Sequence, residues 1–313
     1  MGRACRDHER AFMKKVCGIL MLLVALAITT PAGRADEAAK SGRAILAKCQ
    51  NAVVTVRLAI KQSMSVGGRD SKSESKIETT GTMIDASGLT VVSLTTTDPG
   101  NAMKDAYARA IAARGGDASQ LKFDSEVSDV KIVLADGTEM ASDIVLRDKD
   151  LDLAYLRPSD KPAKALPFVD LARDAKAEVL DEVVVVNRLN KSANRVPAIS
   201  IGRIEAIVDK PRTFYVLGEA TWGYSLGAPV FSLDGQLIGI LFLRSSKAQV
   251  DQTSGFMYSS LSQWGMMPIV LPASDIVDGA KQALEAKMPA TEEKPATEKP
   301  AATQKPATTP KPE

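Results

Sequence analysis

The sequence predicts an all-β protein built as barrels or as a sandwich, and two observations carry that prediction. Short apolar segments alternate with turn sequences at intervals of about 8–12 residues, which is typical of such folds. The region between an apolar leader and a proline-rich tail spans about 250 residues, which suits two small barrels packed together. Hydrophobic residues make up 45% of the 313-residue chain, enough for substantial cores.

Turn sequences between apolar runs mark the strands along the chain. Hairpins are predicted around Asp85-Ala86-Ser87-Gly88, Asp136-Gly137 and Asp234-Gly235, because each turn lies between two runs rich in β-branched or other apolar residues. The predicted strands are 52–58, 77–84, 89–94, 130–134, 141–146, 151–156, 179–186, 198–208, 213–217, 229–231, 237–243 and 269–271.

Three further segments are predicted as helices and one as a loop. Apolar side chains recur at helical spacing over 37–50, and the segment 101–114 is followed by a Gly-Gly pair, a common end of a helix. A third helix, 274–286, closes the folded region. Residues 61–77 are polar and contain two adjacent glycines, so they are predicted to form a long exposed loop.

Composition excludes several classes of protein. A formal net charge of +2 excludes a strongly basic nucleic-acid binder, and three cysteines exclude a disulfide scaffold or a four-cysteine zinc site. A calcium loop needs glycine at its sixth position and glutamate at its twelfth. The acidic run that begins at Asp148 has Leu153 and Ser159 at these positions, so it does not fit a calcium loop. The sequence therefore predicts no metal site, no cofactor and no nucleic-acid partner.

The first 35 residues have the three parts of a secretory signal peptide. Lys14 and Lys15 are basic, Val16 to Ile28 is apolar, and small residues lead to Ala35, after which we expect cleavage. The apolar run is shorter than the roughly 20 residues that cross a bilayer, so an uncleaved anchor is the disfavoured alternative. The sequence therefore predicts a periplasmic or secreted protein without a transmembrane segment after cleavage.

Cleavage of this leader would remove the only histidine of the chain. His8 lies inside the leader, so the mature chain would contain no imidazole, the most common general base of enzymes. Cys49 would be the one cysteine left, which excludes an internal disulfide.

Residues 287–313 form a tail rich in proline, lysine, alanine and threonine. Apart from alanine its only apolar side chain is Met288, and Lys-Pro pairs recur along it. A segment of this composition has nothing to bury in a core, so a disordered, solvated spacer is predicted. Contact between its lysines and a cell wall or another polyanion is the alternative.

Four parts of the folded region carry motifs at fixed spacing. They are Ile45–Lys48 with Ala52–Val54, Gly81–Leu89, Asp136–Thr138 with Asp150–Leu156, and Gly227–Ile240. Together they resemble the trypsin-like peptidase domain of the HtrA/Deg type, over most of residues 40–285. The resemblance implies two packed six-stranded antiparallel β-barrels in residues 36–286, with an insertion at 98–127 and a tail in place of the usual PDZ domain.

The resemblance also assigns the catalytic positions, and most of them hold other residues. The histidine position of the family holds Thr95, and the serine position holds Leu226. Tyr224 occupies the position of a glycine whose amide helps to form the oxyanion hole. Because only Asp152 keeps the identity found in the family, the resemblance implies that no triad is intact.

The chemistry of these side chains leads to the same conclusion. A serine hydroxyl needs an adjacent base, and neither threonine nor leucine can take up its proton. Ser225 is the alternative nucleophile, because residues 223–227 fit Gly-x-Ser-x-Gly, although a hairpin is predicted after it and not the helix of a nucleophile elbow. A Ser-Lys dyad would need no histidine and stays open at this point.

The sequence as a whole predicts an inactive homologue of a serine peptidase that binds an extended peptide, an unfolded protein or a partner protein. Binding by strand addition uses backbone hydrogen bonds and needs no triad. The segments 61–77 and 98–127 are predicted to carry partner contacts, because insertions outside a core often do. The alternatives are a serine hydrolase with a site around Ser225 and a structural envelope protein held by its tail. A homo-oligomer is compatible with the sequence, and the choice between monomer and trimer stays open.

Overall fold

The first half of the chain forms a closed barrel of antiparallel strands. Around the barrel the strands follow the order β1-β2-β3-β6-β5-β4. They are β1 (Val53–Val66), β2 (Arg69–Met83), β3 (Thr90–Ser93), β4 (Lys122–Val133), β5 (Glu139–Asp148) and β6 (Leu153–Pro158).

The second half forms another closed barrel, in the order β10-β11-β12-β9-β8-β7. Its strands are β7 (Glu182–Arg188), β8 (Pro197–Val208), β9 (Phe214–Leu217), β10 (Pro229–Ser232), β11 (Leu237–Ser245) and β12 (Met266–Pro272). The prediction of two packed six-stranded antiparallel barrels is therefore confirmed.

The structure is a computed structural model that describes residues 32–66, 68–172, 175–218, 226–245 and 266–288. Residues 1–31 of the predicted leader and residues 289–313 of the predicted tail lie outside the described residues. The described helices are α1 (Ala32–Cys49), α2 (Leu94–Thr97), α3 (Gly100–Ala113) and α4 (Ala273–Glu285). Three of them match the predicted helices within a few residues.

One apolar cluster joins the two barrels. Val91 and Tyr155 from the first barrel pack in it with Phe231 and Phe242 from the second, and all four side chains are buried. The Tyr155 hydroxyl also donates to the carbonyl oxygen of Ile276 in α4, at 3.0 Å. The C-terminal helix is therefore anchored on the first barrel although it follows the second barrel in the chain.

The prediction of a loop at 61–77 is wrong, because β1 and β2 continue through it as a long hairpin. Their antiparallel register runs from Val53 opposite Thr82 to Val66 opposite Arg69, and β4 pairs with the other side of β1. We call the projecting three-stranded part, residues 60–66, 69–77 and 122–127, the arm. Residues 69–76 of β2 are polar on both faces, so no alternation of apolar and polar residues reveals this strand in the sequence.

Helix α3 packs on the arm. The rings of Tyr107 in α3 and Phe123 in β4 lie 5.8 Å apart, and Gln62 in β1 contacts the sulfur of Met103. The predicted insertion 98–127 thus consists of this helix, a short turn and the first residues of β4.

Several predicted strands have different ends in the structure, and two of them illustrate the difference. The strand predicted at 179–186 begins only at Glu182, and Val179 and Leu180 before it are exposed. The strand predicted at 89–94 ends at Ser93, because the Ser93 side chain accepts a hydrogen bond from the amide of Thr96 and begins α2. Local capping overrides the apolar pattern at this second position.

Arg188 ties the second barrel to the start of the first. Its buried guanidinium donates to the carbonyl oxygens of Val53 at 2.8 Å, Gln50 at 2.6 Å and Arg195 at 2.9 Å. Burial lowers the pKa of Arg188. Its charge is therefore balanced by peptide carbonyls at the end of α1, at β1 and in the β7–β8 connection.

Replacing Arg188 by methionine is expected to lower the free energy of unfolding by roughly 2–4 kcal/mol, because three carbonyl groups lose their donor. Urea denaturation of the Arg188→Met variant measures this loss. The matched control is Arg203→Met, whose exposed side chain pairs with Glu182 and whose loss should cost about 0.5 kcal/mol or less. Equal effects of the two substitutions would contradict the assignment.

Candidate functional site at the barrel junction

Asp152 lies in the turn before β6, at the junction between the barrels. Its side chain is buried, and its backbone is in the left-handed region with a φ of 60°. A positive φ is uncommon for residues other than glycine and costs free energy that the surrounding contacts must offset.

Three donors from two barrels satisfy the carboxylate of Asp152. The Ser93 hydroxyl donates to Oδ2 at 2.6 Å, and the Thr95 amide donates to Oδ1 at 2.7 Å. The third donor is the amide of Leu243 in β11, which lies 3.1 Å from Oδ2. Within the described residues no lysine or arginine pairs with this carboxylate.

Burial raises the pKa of Asp152, because removal from water disfavours the charged carboxylate. The hydrogen bonds from Ser93, Thr95 and Leu243 act in the opposite direction by stabilising the charge, but they do not offset the effect of burial. Asp152 is therefore a buried acid held by neutral donors.

Helix α2 places Thr95 against Asp152. Ser93 begins the helix, and the Thr97 hydroxyl donates back to the Ser93 carbonyl at 2.9 Å. Thr79 in β2 fixes the other side of the turn by donating to the Thr96 hydroxyl at 3.2 Å. As a result, the aspartate and histidine positions of the assigned triad are neighbours, and the contact between them is made by a backbone amide.

Leu226 lies where the second barrel meets strand β2 of the first. The next residue, Gly227, has a φ of 85°, and a Cβ atom there would come within 2.3 Å of the Thr80 carbonyl oxygen. Its carbonyl accepts from the Thr82 hydroxyl at 2.7 Å, and its amide donates to the Leu241 carbonyl at 2.6 Å. The positive φ and the close carbonyl mean that only glycine fits at position 227. The two hydrogen bonds of Gly227 tie the turn that holds the half-buried Leu226 to both barrels.

The predicted site residues thus fall into two groups. The structure joins Thr95 to Asp152 by a hydrogen bond and places Leu226 at the junction of the barrels. Tyr224, the residue at the oxyanion position, and Ser225, the alternative nucleophile, lie outside the described residues.

Two residues of the site were not identified in the sequence. Serine is a favoured residue type at the start of a helix, so the capping role of Ser93 has a sequence signal, but its bond to Asp152 has none. Leu243 contributes only its backbone amide, which every residue except proline carries.

The acidic run around Asp152 forms a turn. The Asp148 carboxylate accepts the amides of Asp150 at 2.9 Å and Leu151 at 3.0 Å, while Asp152 faces Ser93 and Thr95. Among the residues that the structure describes, no group of three or more Cys, His, Asp or Glu side chains is placed to hold a metal ion.

Comparison with known proteins agrees with this geometry. Residues 111–240 match the family model described as a trypsin-like peptidase domain. A protein of Rhizobium meliloti (strain 1021) described as a "Probable periplasmic serine endoprotease DegP-like" is 31% identical over 118 residues. Both comparisons therefore indicate similarity to trypsin-like peptidase domains of the HtrA type over part of the chain.

The matches cover only part of each protein. The alignment with the DegP-like relative spans 37% of this chain and 23% of the relative. The segment that matches the family model includes Asp152 and Leu226 and begins after Thr95. In the described part of the chain, no helix combines the length and the apolar character needed to cross a membrane.

Replacing Asp152 by asparagine tests the role of the carboxylate at neutral pH. An amide can accept at one end only, so either the Thr95 or the Leu243 amide loses its acceptor. We expect a loss of about 1–3 kcal/mol in the free energy of unfolding, measured by urea denaturation near neutral pH. Asp150→Asn is the matched control, since Asp150 lies on the same turn and its side chain is exposed.

Comparing wild type with Asp152→Asn also predicts how the free energy of unfolding depends on pH. Because the pKa of Asp152 is higher in the folded than in the unfolded protein, the folded state binds this proton more tightly. The stability contributed by this group is therefore complete below the unfolded pKa of about 3.8 and is lost as the pH rises through the folded pKa. As the pH is lowered, the free energy of unfolding of wild type should rise relative to that of Asp152→Asn. A decrease of this difference on acidification would contradict the raised pKa.

Proposed function

We propose that this protein is an exported, non-catalytic member of the trypsin-like peptidases that binds extended polypeptide at the junction of its barrels. The observation that carries the proposal is the carboxylate of Asp152, whose donors are a hydroxyl and two backbone amides. In a Ser-His-Asp triad the carboxylate orients an imidazole. Here Thr95 stands at the histidine position and contacts the carboxylate through its backbone.

The remaining chemistry of the chain supports the absence of catalysis. The chain has one histidine, His8, which lies in the predicted leader. Leu226 at the serine position has no group that can attack a carbonyl carbon. A hydrolase of the serine type would therefore need another nucleophile and a base other than an imidazole.

Binding is the function that the geometry still permits. Peptidases of this fold class need an extended chain beside a strand, and that mode of recognition rests on backbone hydrogen bonds and side-chain pockets. Gly227 and its bonds to Thr82 and Leu241 keep the two barrels in contact at the place where such a chain would lie. The arm and helix α3 add surface beside the first barrel, which suits contacts with a partner protein.

Export is proposed from two independent observations. Residues 1–35 have the pattern of a cleavable secretory signal. The DegP-like relative is described as periplasmic. A periplasmic or secreted location follows for this chain, and cell fractionation with and without residues 1–35 would test it.

An active serine endopeptidase with a site around Ser225 is the competing function, favoured by the Gly-x-Ser-x-Gly pattern and the family match. The purified chain is incubated with unfolded casein and with a fluorophosphonate probe. We expect no labelling and no fragments, and the Ser225→Ala variant should behave as wild type does. Labelling of Ser225, together with fragments that Ser225→Ala abolishes, would establish the hydrolase instead.

Binding itself is tested with fluorescently labelled unfolded casein. We expect saturable binding, weakened about tenfold or more by Leu226→Arg, because a charged side chain would enter the proposed cleft. Leu180→Arg is the matched control, since Leu180 is 68% exposed and lies in the turn before β7. Circular dichroism confirms that both variants are folded. Absence of binding to wild type, or equal loss in both variants, would refute the proposed binding function.

A further inference from the structure

The outer edge of the arm leaves a strand without a neighbour. Strand β2 pairs with β1 along its whole length, but on its other side β3 pairs only with Thr82 and Met83. Within the part of the chain that the structure describes, nothing pairs with this side of residues 69–78. The side chains from Arg69 to Lys76 are exposed.

The register of the hairpin decides which backbone groups face outward from this edge. The amide of Met83 donates to the Ala52 carbonyl at 2.8 Å, and the ladder continues to Arg69 without a shift. Hydrogen bonds to the same neighbour alternate along an antiparallel strand, so the odd-numbered residues of β2 bond to β1. The amides and carbonyls of Asp70, Lys72, Glu74 and Lys76 therefore point away from the barrel.

These four outward-facing residues alternate in charge along one face of the sheet. In order they are negative, positive, negative and positive. None of the four forms an ion pair within the described residues, although neighbouring Glu78 is paired with Arg195.

We propose that this edge pairs with the same edge of a second copy of the chain, antiparallel and centred on Ser73. A two-fold axis at Ser73 sets Lys72 opposite Glu74 of the second copy, and Asp70 opposite Lys76 of the second copy. Each of these pairs joins opposite charges, and each can exchange two backbone hydrogen bonds across the interface. Both copies use the same patch, as in any closed two-fold dimer.

Charge complementarity excludes the two adjacent registers, and the number of free pairs of opposite charge favours this register over the next two. Centring the axis on Lys72 or on Glu74 would bring that residue against its own copy and set like charges opposite each other. Centring the axis on Ser71 would pair only Asp70 with Lys72, because Glu74 would then face Gly68. Centring it on Ser75 would set Lys72 opposite Glu78, which already pairs with Arg195. Charges of one sign protect an exposed edge from pairing, whereas alternating charges admit the one partner that matches them.

This interface goes beyond the proposed binding function, because it lies on the arm and not at the barrel junction. The purified chain is examined by sedimentation velocity over concentrations up to about 0.5 mM. We expect a dimer, and we expect Lys72→Glu or Glu74→Lys alone to raise its dissociation constant roughly 10- to 100-fold, since each creates two like-charge contacts. Lys104→Glu on α3 is the matched control and should dimerise as wild type does.

Two rescue experiments test the register itself. The double variant Lys72→Glu/Glu74→Lys exchanges the two charges and should dimerise again. Mixing the two single variants should produce a heterodimer, because every pair across the interface is then of opposite charge. A monomer at all concentrations, an oligomer that the single substitutions leave unchanged, or a failure of both rescues would overturn the proposal.

Discussion

A buried carboxylate that has no cationic partner among the described residues joins the two barrels of this protein. Asp152 accepts from Ser93 and Thr95 of its own barrel and from Leu243 of the other. Taking the carboxylate out of water is costly, and hydrogen bonds from neutral groups offset only part of that cost. The arrangement holds together because every donor is fixed by a strand or a helix end, so little freedom is lost when the bonds form.

The proposal of a non-catalytic trypsin-like domain rests on the same geometry. In a triad the aspartate holds an imidazole, and the glycine-rich turn presents a serine. In this chain Asp152 takes backbone amides, and Gly227 still links the barrels although Leu226 precedes it. The contacts of Asp152 and Gly227 hold the two barrels together. They do so through backbone groups and hydroxyls, which do not depend on the presence of a histidine or a nucleophilic serine.

Sequence patterns predicted the parts of the fold in which the strands carry buried apolar residues. The hairpin of β10 and β11 is an example, because apolar residues flank Asp234-Gly235 on both sides. Residues 61–77 were misassigned as a loop because the outer strand β2 is polar on both faces over residues 69–76, where it is held by backbone pairing with β1. Thr95 and Asp152 were identified through the family resemblance, whereas Ser93 carries only a capping signal and Leu243 carries no signal.

The sequence by itself determined the alternation of strands and turns, the apolar residues of the cores and the lack of any histidine beyond His8. These features depend on residue type and on spacing along the chain. Only the tertiary structure decided that Leu243 reaches Asp152, 91 residues away, and that one edge of β2 has no neighbour among the described strands. Both features depend on which backbone groups of distant segments come together. The sequence does not indicate this, because almost every residue carries the same peptide amide and carbonyl.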